Sequence, residues 1–113
     1  MAKDVAGAVE QWRANRTQNA VRAVGGTLVL TEADLEFRPN RVDAATGGKG
    51  WSTKLAQIRS VGTQKRGRNL FNGSIRERLR VETVDGGAEL FVVNGLEQVT
   101  DRIRRALPSP DQV

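Results

Sequence analysis

Between residues 20 and 93 the apolar side chains recur at every second position in short runs broken by turn residues. This pattern restricts the chain to a small antiparallel β fold, because period-two alternation buries one face of each strand and wets the other. Residues 20–24 and 27–31 flank Gly25-Gly26, a pair whose conformational freedom suits a two-residue hairpin turn. Leu35 and Phe37 then alternate with Glu36 and Arg38 until Pro39 closes the run. Trp51, Thr53 and Leu55 share a face, and residues 58–63 form a further candidate strand. Over 76–84, Leu79 and Val81 lie opposite Arg76, Arg78, Arg80 and Glu82. Asp85-Gly86-Gly87 turns the chain into a last run over 88–93. The sequence therefore predicts seven strands, with residues 40–50 and 64–74, both punctuated by Gly and Asn, as two long loops, the first of them flexible.

The two ends read differently. Val5, Ala8, Val9 and Trp12 recur at helical spacing, which predicts a short amphipathic helix over 4–13, with residues 1–18 serving as helix and linker ahead of a domain spanning 19–107. Leu96, Val99, Ile103 and Leu107 form an apolar stripe for a second helix, with Asn94 as its N-cap and Glu97 three residues on. Arg102, Arg104 and Arg105 fall near its C-terminus, where cations interact favourably with the helix dipole. Pro108 and Pro110 end it, leaving residues 108–113 as a tail.

Composition narrows the function. A chain of 113 residues can build one core and fold alone. It contains no Cys and no His, which removes disulfides, thiolate metal sites, the commonest metal ligand and the usual neutral-pH general base. Carboxylates such as Asp34, Asp43, Asp85 and Asp101 fall in turns or on a helix surface, so the expectation is a protein that is no enzyme and carries no cofactor. Thr46-Gly47-Gly48-Lys49-Gly50 superficially suggests a phosphate loop, but Gly50 stands where that loop needs Ser or Thr, and a strand follows instead of a helix. No apolar run approaches the length of a membrane span, and Met1-Ala2-Lys3-Asp4 opens no signal-like segment, so a cytoplasmic protein, peripheral to a membrane at most, is expected.

Seven short antiparallel strands followed by one amphipathic helix resemble the pleckstrin-homology superfold. Gly26-Thr27-Leu28-Val29-Leu30-Thr31, Leu35-Glu36-Phe37-Arg38-Pro39 and Trp51-Ser52-Thr53-Lys54-Leu55, with Ile58 and Val61, are similar in order to the opening of GRAM domains. The resemblance implies an open barrel of two orthogonal antiparallel sheets, capped by the C-terminal helix, acting as a binding module. Phosphoinositide-binding members typically carry paired basic residues in a roomy first hairpin loop. At Gly25-Gly26 this sequence departs from that pattern, with only Arg22 nearby.

The formal net charge is +5, and its distribution is uneven. Lys65, Arg66, Arg68, Arg76, Arg78 and Arg80 face only Glu77 within residues 65–80, whereas the remaining 12 basic and 12 acidic residues balance. Guanidinium groups bind phosphate oxygens bidentately, so these six are the candidate contacts for an acidic surface. Leu70 and Phe71, in the middle of the basic loop, are the candidate apolar anchor to a membrane or partner. The alternative for the arginines is a solvated strand face paired to residues such as Glu89. Partners that fit are an anionic membrane surface or a protein. Nucleic acid is the runner-up, weakened by an aromatic content of only 4%, and a purely structural interaction domain is a third reading. A homodimer through the N-terminal helix is compatible with each.

Overall fold

A computed structural model describes residues 8–19, 22–64 and 77–108. Among these, seven antiparallel strands run β1 (Ala8–Asn19), β2 (Arg22–Thr31), β3 (Asp34–Pro39), β4 (Trp51–Lys54), β5 (Ile58–Gln64), β6 (Arg78–Thr83) and β7 (Ala88–Val93). A one-turn helix α1 (Arg41–Ala45) lies between β3 and β4, a 3-10 turn (Leu55–Gln57) between β4 and β5, and helix α2 (Leu96–Ala106) follows β7. Hydrogen bonds join the strands into a single sheet of order β4-β3-β2-β1-β7-β6-β5, where two separate sheets were expected. The sheet is nevertheless strongly curved. In a flat sheet β4 and β5 would stand about 29 Å apart, yet the short turn between Lys54 and Ile58 can reach at most about 15 Å. The hinge of the curl is β1, which pairs with β2 from Ala8 to Asn19 but with β7 only at Ala14, Asn15 and Arg16.

The curved inner face encloses one core built from Val24, Leu28, Leu30, Leu35, Phe37, Leu79, Val81, Phe91 and Ile103, with Trp12 and Trp51 packed at its edge. Phe91 is central, its ring 5.8 Å from that of Phe37 and 5.6 Å from that of Trp51. Helix α2 inserts Val99 and Ile103 into this core, and Arg104 Nε donates to the Val61 carbonyl at 2.7 Å.

Three local expectations are corrected. The first is the N-terminal helix: residues 8–13 are strand, while residues 4–7 lie outside the described residues. Val9 and Trp12 do have helical spacing, but Trp12, Ala14 and Arg16 turn inward and Gln11, Arg13 and Asn15 outward. A short isolated helix is marginal, and pairing along the whole of β2 outweighs it.

The second correction concerns Gly25-Gly26, which makes no turn. Both lie inside β2, opposite Asn15 and Ala14, and neither has positive φ. Gly26 is required for closeness: a Cβ there would stand 2.1 Å from the Arg38 carbonyl oxygen, where β3 presses against β2. The count of seven strands therefore arises differently, since 20–24 and 27–31 merge into one and the expected helix supplies another.

The third correction is to the ends of two elements. Residues 40–50 contain α1, capped by the Asn40 side chain accepting from the Asp43 N–H. At α2 the N-cap is Gly95, at φ 67°, in place of Asn94. The turn at Asp85-Gly86-Gly87 forms as expected, with Gly86 at φ 95° and the Asp85 side chain accepting from the Gly87 N–H at 3.0 Å.

Candidate functional site

The basic segment springs from a well-defined base. β5 and β6 pair from Ile58↔Thr83 to Gln64↔Arg78, so the chain leaves at Gln64 and re-enters directly beside it at Arg78. Lys65, Arg66, Arg68, Leu70, Phe71 and Arg76 lie outside the described residues. Arg78 and Arg80, with Gln64, Ser60 and Glu82, occupy the outward face of the pair, as the alternation predicts. Arg78 is half-buried opposite Gln64. Arg80 is committed: Nη1 donates to Gln64 Oε1 at 2.7 Å and Nε to Glu82 Oε2 at 2.8 Å. Glu82 also accepts from Ser60 Oγ at 3.3 Å and from Arg59 Nη2 at 3.4 Å. The Arg80 guanidinium holds the Glu82 carboxyl below the usual carboxylate range, against a smaller opposing effect of desolvation. Arg80 thus pins the root of the hairpin and is partly neutralised there. Its acidic partner is Glu82, two residues on along the same strand, and its cross-strand bond goes to Gln64, while Glu89 serves another arginine.

That other arginine is Arg16. Its Nε donates to Glu89 Oε1 at 2.9 Å with both side chains largely buried, and its Nη1 reaches the Lys49 carbonyl at 3.2 Å. Arg16 stands opposite Phe91 and Glu89 opposite Val81, so the pair sits on the inner face of the sheet and closes one end of the core. β1 and β2 stay paired past this point, as far as Asn19↔Arg22. Arg22 is also spent internally, donating to Asp43 Oδ1 at 3.2 Å and to the Thr46 carbonyl at 2.6 Å. Gln18 grips the same connection from both sides, through the Gly47 carbonyl at 3.3 Å and the Lys49 N–H at 2.7 Å. The segment expected to be a flexible loop is therefore strapped to β1 and β2 by three side chains. Sequence reading missed these contacts, since nothing local in the pattern links residues separated by 21 to 33 positions.

At the β6–β7 turn the Asp85 carboxyl is held below its usual range by the Thr83 hydroxyl first and the Gly87 N–H second. Among the described residues no cluster of three or more His, Cys, Asp or Glu side chains is placed to hold a metal ion. Among the same residues no helix is long and apolar enough to cross a membrane.

The sheet order, the single C-terminal helix and the curled core define a pleckstrin-homology-like fold, and solved structures agree. The C-terminal domain of an unknown protein from Leishmania infantum superposes with a TM-score of 0.66 at 11% identity, over 88% of this chain and 82% of that one. The Slm1 PH domain, solved in complex with phosphoserine, superposes with a TM-score of 0.59 at 15% identity, over 91% of this chain and 95% of that one. The sequence itself matches no protein-family model and no curated protein.

Proposed function

We propose that this domain is a non-catalytic binding module of the GRAM type that attaches peripherally to an anionic membrane surface through the β5–β6 hairpin. The observation that carries this reading is the concentration of Lys65, Arg66, Arg68, Arg76, Arg78 and Arg80 in a hairpin whose two ends are paired at Gln64 and Arg78. Of the acidic side chains elsewhere, Glu89 is paired with Arg16, Asp43 with Arg22, Glu36 with Arg38 and Asp101 with Arg105. A basic residue close to an acidic leaflet contributes on the order of 1 kcal/mol. Several together, with Leu70 and Phe71 as an apolar anchor, give a weak, reversible and salt-sensitive attachment. The Slm1 neighbour in complex with phosphoserine is in keeping with an anionic ligand.

The test is vesicle co-flotation at physiological salt, comparing neutral with phosphatidylserine-containing vesicles. Because Arg80 anchors the hairpin base, the charge reversal belongs on the loop, as Lys65→Glu, Arg66→Glu and Arg68→Glu. Each reversal removes two units, taking the formal net charge from +5 to −1. The wild-type domain is expected to float with anionic vesicles only, and the triple variant to stay in solution with an unchanged circular dichroism spectrum. Absence of flotation with both vesicle types overturns the membrane reading and favours a protein partner for the same hairpin.

A further inference from the structure

β1 and β7 part company at Ala14↔Val93, beyond which β7 turns through Asn94 and Gly95 into α2 while β1 continues beside β2. The fork holds a half-open cleft of about 450 Å³ on the outer side of the sheet, remote in sequence from the basic hairpin. Gly25 and Gly26 contribute to its lining, and their lack of side chains leaves the backbone open to close approach.

Arg13, Asn15, Thr27 and Asn94 surround these glycines, and none of the four side chains makes a hydrogen bond or ion pair among the described residues. The neighbouring network differs. Asn40, at one end of the cleft, gives its amide to Asp43 Oδ2 at 3.1 Å, and the Gly25 N–H donates to the same oxygen at 3.0 Å. Asp43 itself is ion-paired with Arg22 and is absent from the lining, which contains no carboxylate. The cleft therefore offers one guanidinium, two side-chain amides and a hydroxyl, all uncommitted among the described residues, while the carboxylate beside it, Asp43, is already taken up by Arg22, Asn40 and the Gly25 N–H. Its volume falls within the range of small-molecule sites, but its polar lining suits a ligand rich in oxygen. A guanidinium with flanking neutral donors matches a compact dianion whose several oxygens each accept a hydrogen bond.

From this arrangement we infer a second binding site, independent of the membrane-facing hairpin, that takes the phosphate group of a small phosphate monoester or free phosphate. Arg13 supplies the charge-assisted pair, and Asn15, Thr27 and Asn94 supply the neutral bonds that orient it.

The experiment is a titration of the ¹⁵N-labelled domain followed by amide shifts, with inorganic phosphate, glycerol 3-phosphate and glycerol as probes. Saturable shifts at Asn15, Gly25, Gly26 and Asn94 are expected with both phosphates and not with glycerol. Equal affinity for the two phosphates identifies the free oxyanion as sufficient, and tighter binding of the ester identifies a monoester as the ligand. R13Q, at an exposed position without a partner among the described residues, is expected to keep the fold and weaken binding by at least about tenfold. The triple variant K65E/R66E/R68E is expected to bind the phosphates as well as wild type, which separates this site from the hairpin. Shifts confined to the basic hairpin, undiminished affinity in R13Q, a response to glycerol equal to that of its phosphate, or no saturable response overturns the assignment.

Discussion

Gly26 shows how much one missing side chain decides. Val24 and Leu28, two residues away on either side, are fully buried, and a methyl group at Gly26 would meet main chain at the Arg38 carbonyl oxygen and the Pro39 Cα, 2.1 and 2.8 Å away. Main-chain atoms in a paired strand cannot step aside as a flexible side chain could, so the β2–β3 ladder itself must open. G26A is expected to cost at least about 1–3 kcal/mol, the usual range for overpacking a filled site, read as a lower urea midpoint. A Cβ at Gly25 would instead meet side-chain atoms, the nearest being Asn40 Nδ2 at 3.0 Å, so G25A is expected to cost less. A G26A midpoint equal to wild type would show that the two strands stand further apart than described. The special status of the Gly-Gly pair is legible in the sequence, but its meaning is not. A glycine chosen for positive φ and a glycine chosen for close approach look identical until the neighbouring strand is known.

At the scale of elements, what is local was readable and what depends on distant partners was not. The alternation of Leu35 and Phe37, of Leu79 and Val81, and the turn at Asp85-Gly86-Gly87 all fall where periodicity puts them. β1 does not, because Val9 and Trp12 satisfy a helical spacing and only the pairing of Arg13 with Thr27 and of Ala14 with Gly26 reveals the strand. The strapped β3–β4 connection is the same case. Its order comes from Arg16, Gln18 and Arg22, which a sequence reading has no reason to bring near Lys49, Gly47 and Asp43. The Arg16–Glu89 pair ties β1, β7 and this connection together, with side-chain exposures of 13% and 21%. Removing one partner strands the other charge in a poorly solvated place, whereas removing both does not. E89A is therefore expected to destabilise by about 1–3 kcal/mol, while the double replacement R16M/E89L recovers much of that loss. A double-mutant cycle of R16M, E89L and R16M/E89L from urea melts gives the coupling directly, and strictly additive values would mean that the pair contributes nothing.

For the molecule as a whole, the charges placed by the structure and the charges of the proposed binding segment are different sets. One set is consumed in holding the sheet's curl: Arg16, Arg22, Arg80 and Arg104 each bind a group on another element or at a hairpin base. The other set is the excess of residues 65–76, where Lys65, Arg66, Arg68 and Arg76 are accompanied by no acid. Binding and stability are for this reason expected to respond differently to salt and to charge reversal. Raising ionic strength from about 0.15 M to about 1 M shortens the screening length from roughly 8 Å to roughly 3 Å, which should strip the domain from anionic vesicles. The partly buried pairs are screened far less, so the thermal midpoint should barely move over the same range. K65E/R66E/R68E should reproduce the loss of vesicle binding at low salt without lowering the thermal midpoint. A midpoint that falls with the charge reversal as steeply as vesicle binding does would mean that the hairpin's charges are part of the fold, and the division between the two sets would not stand.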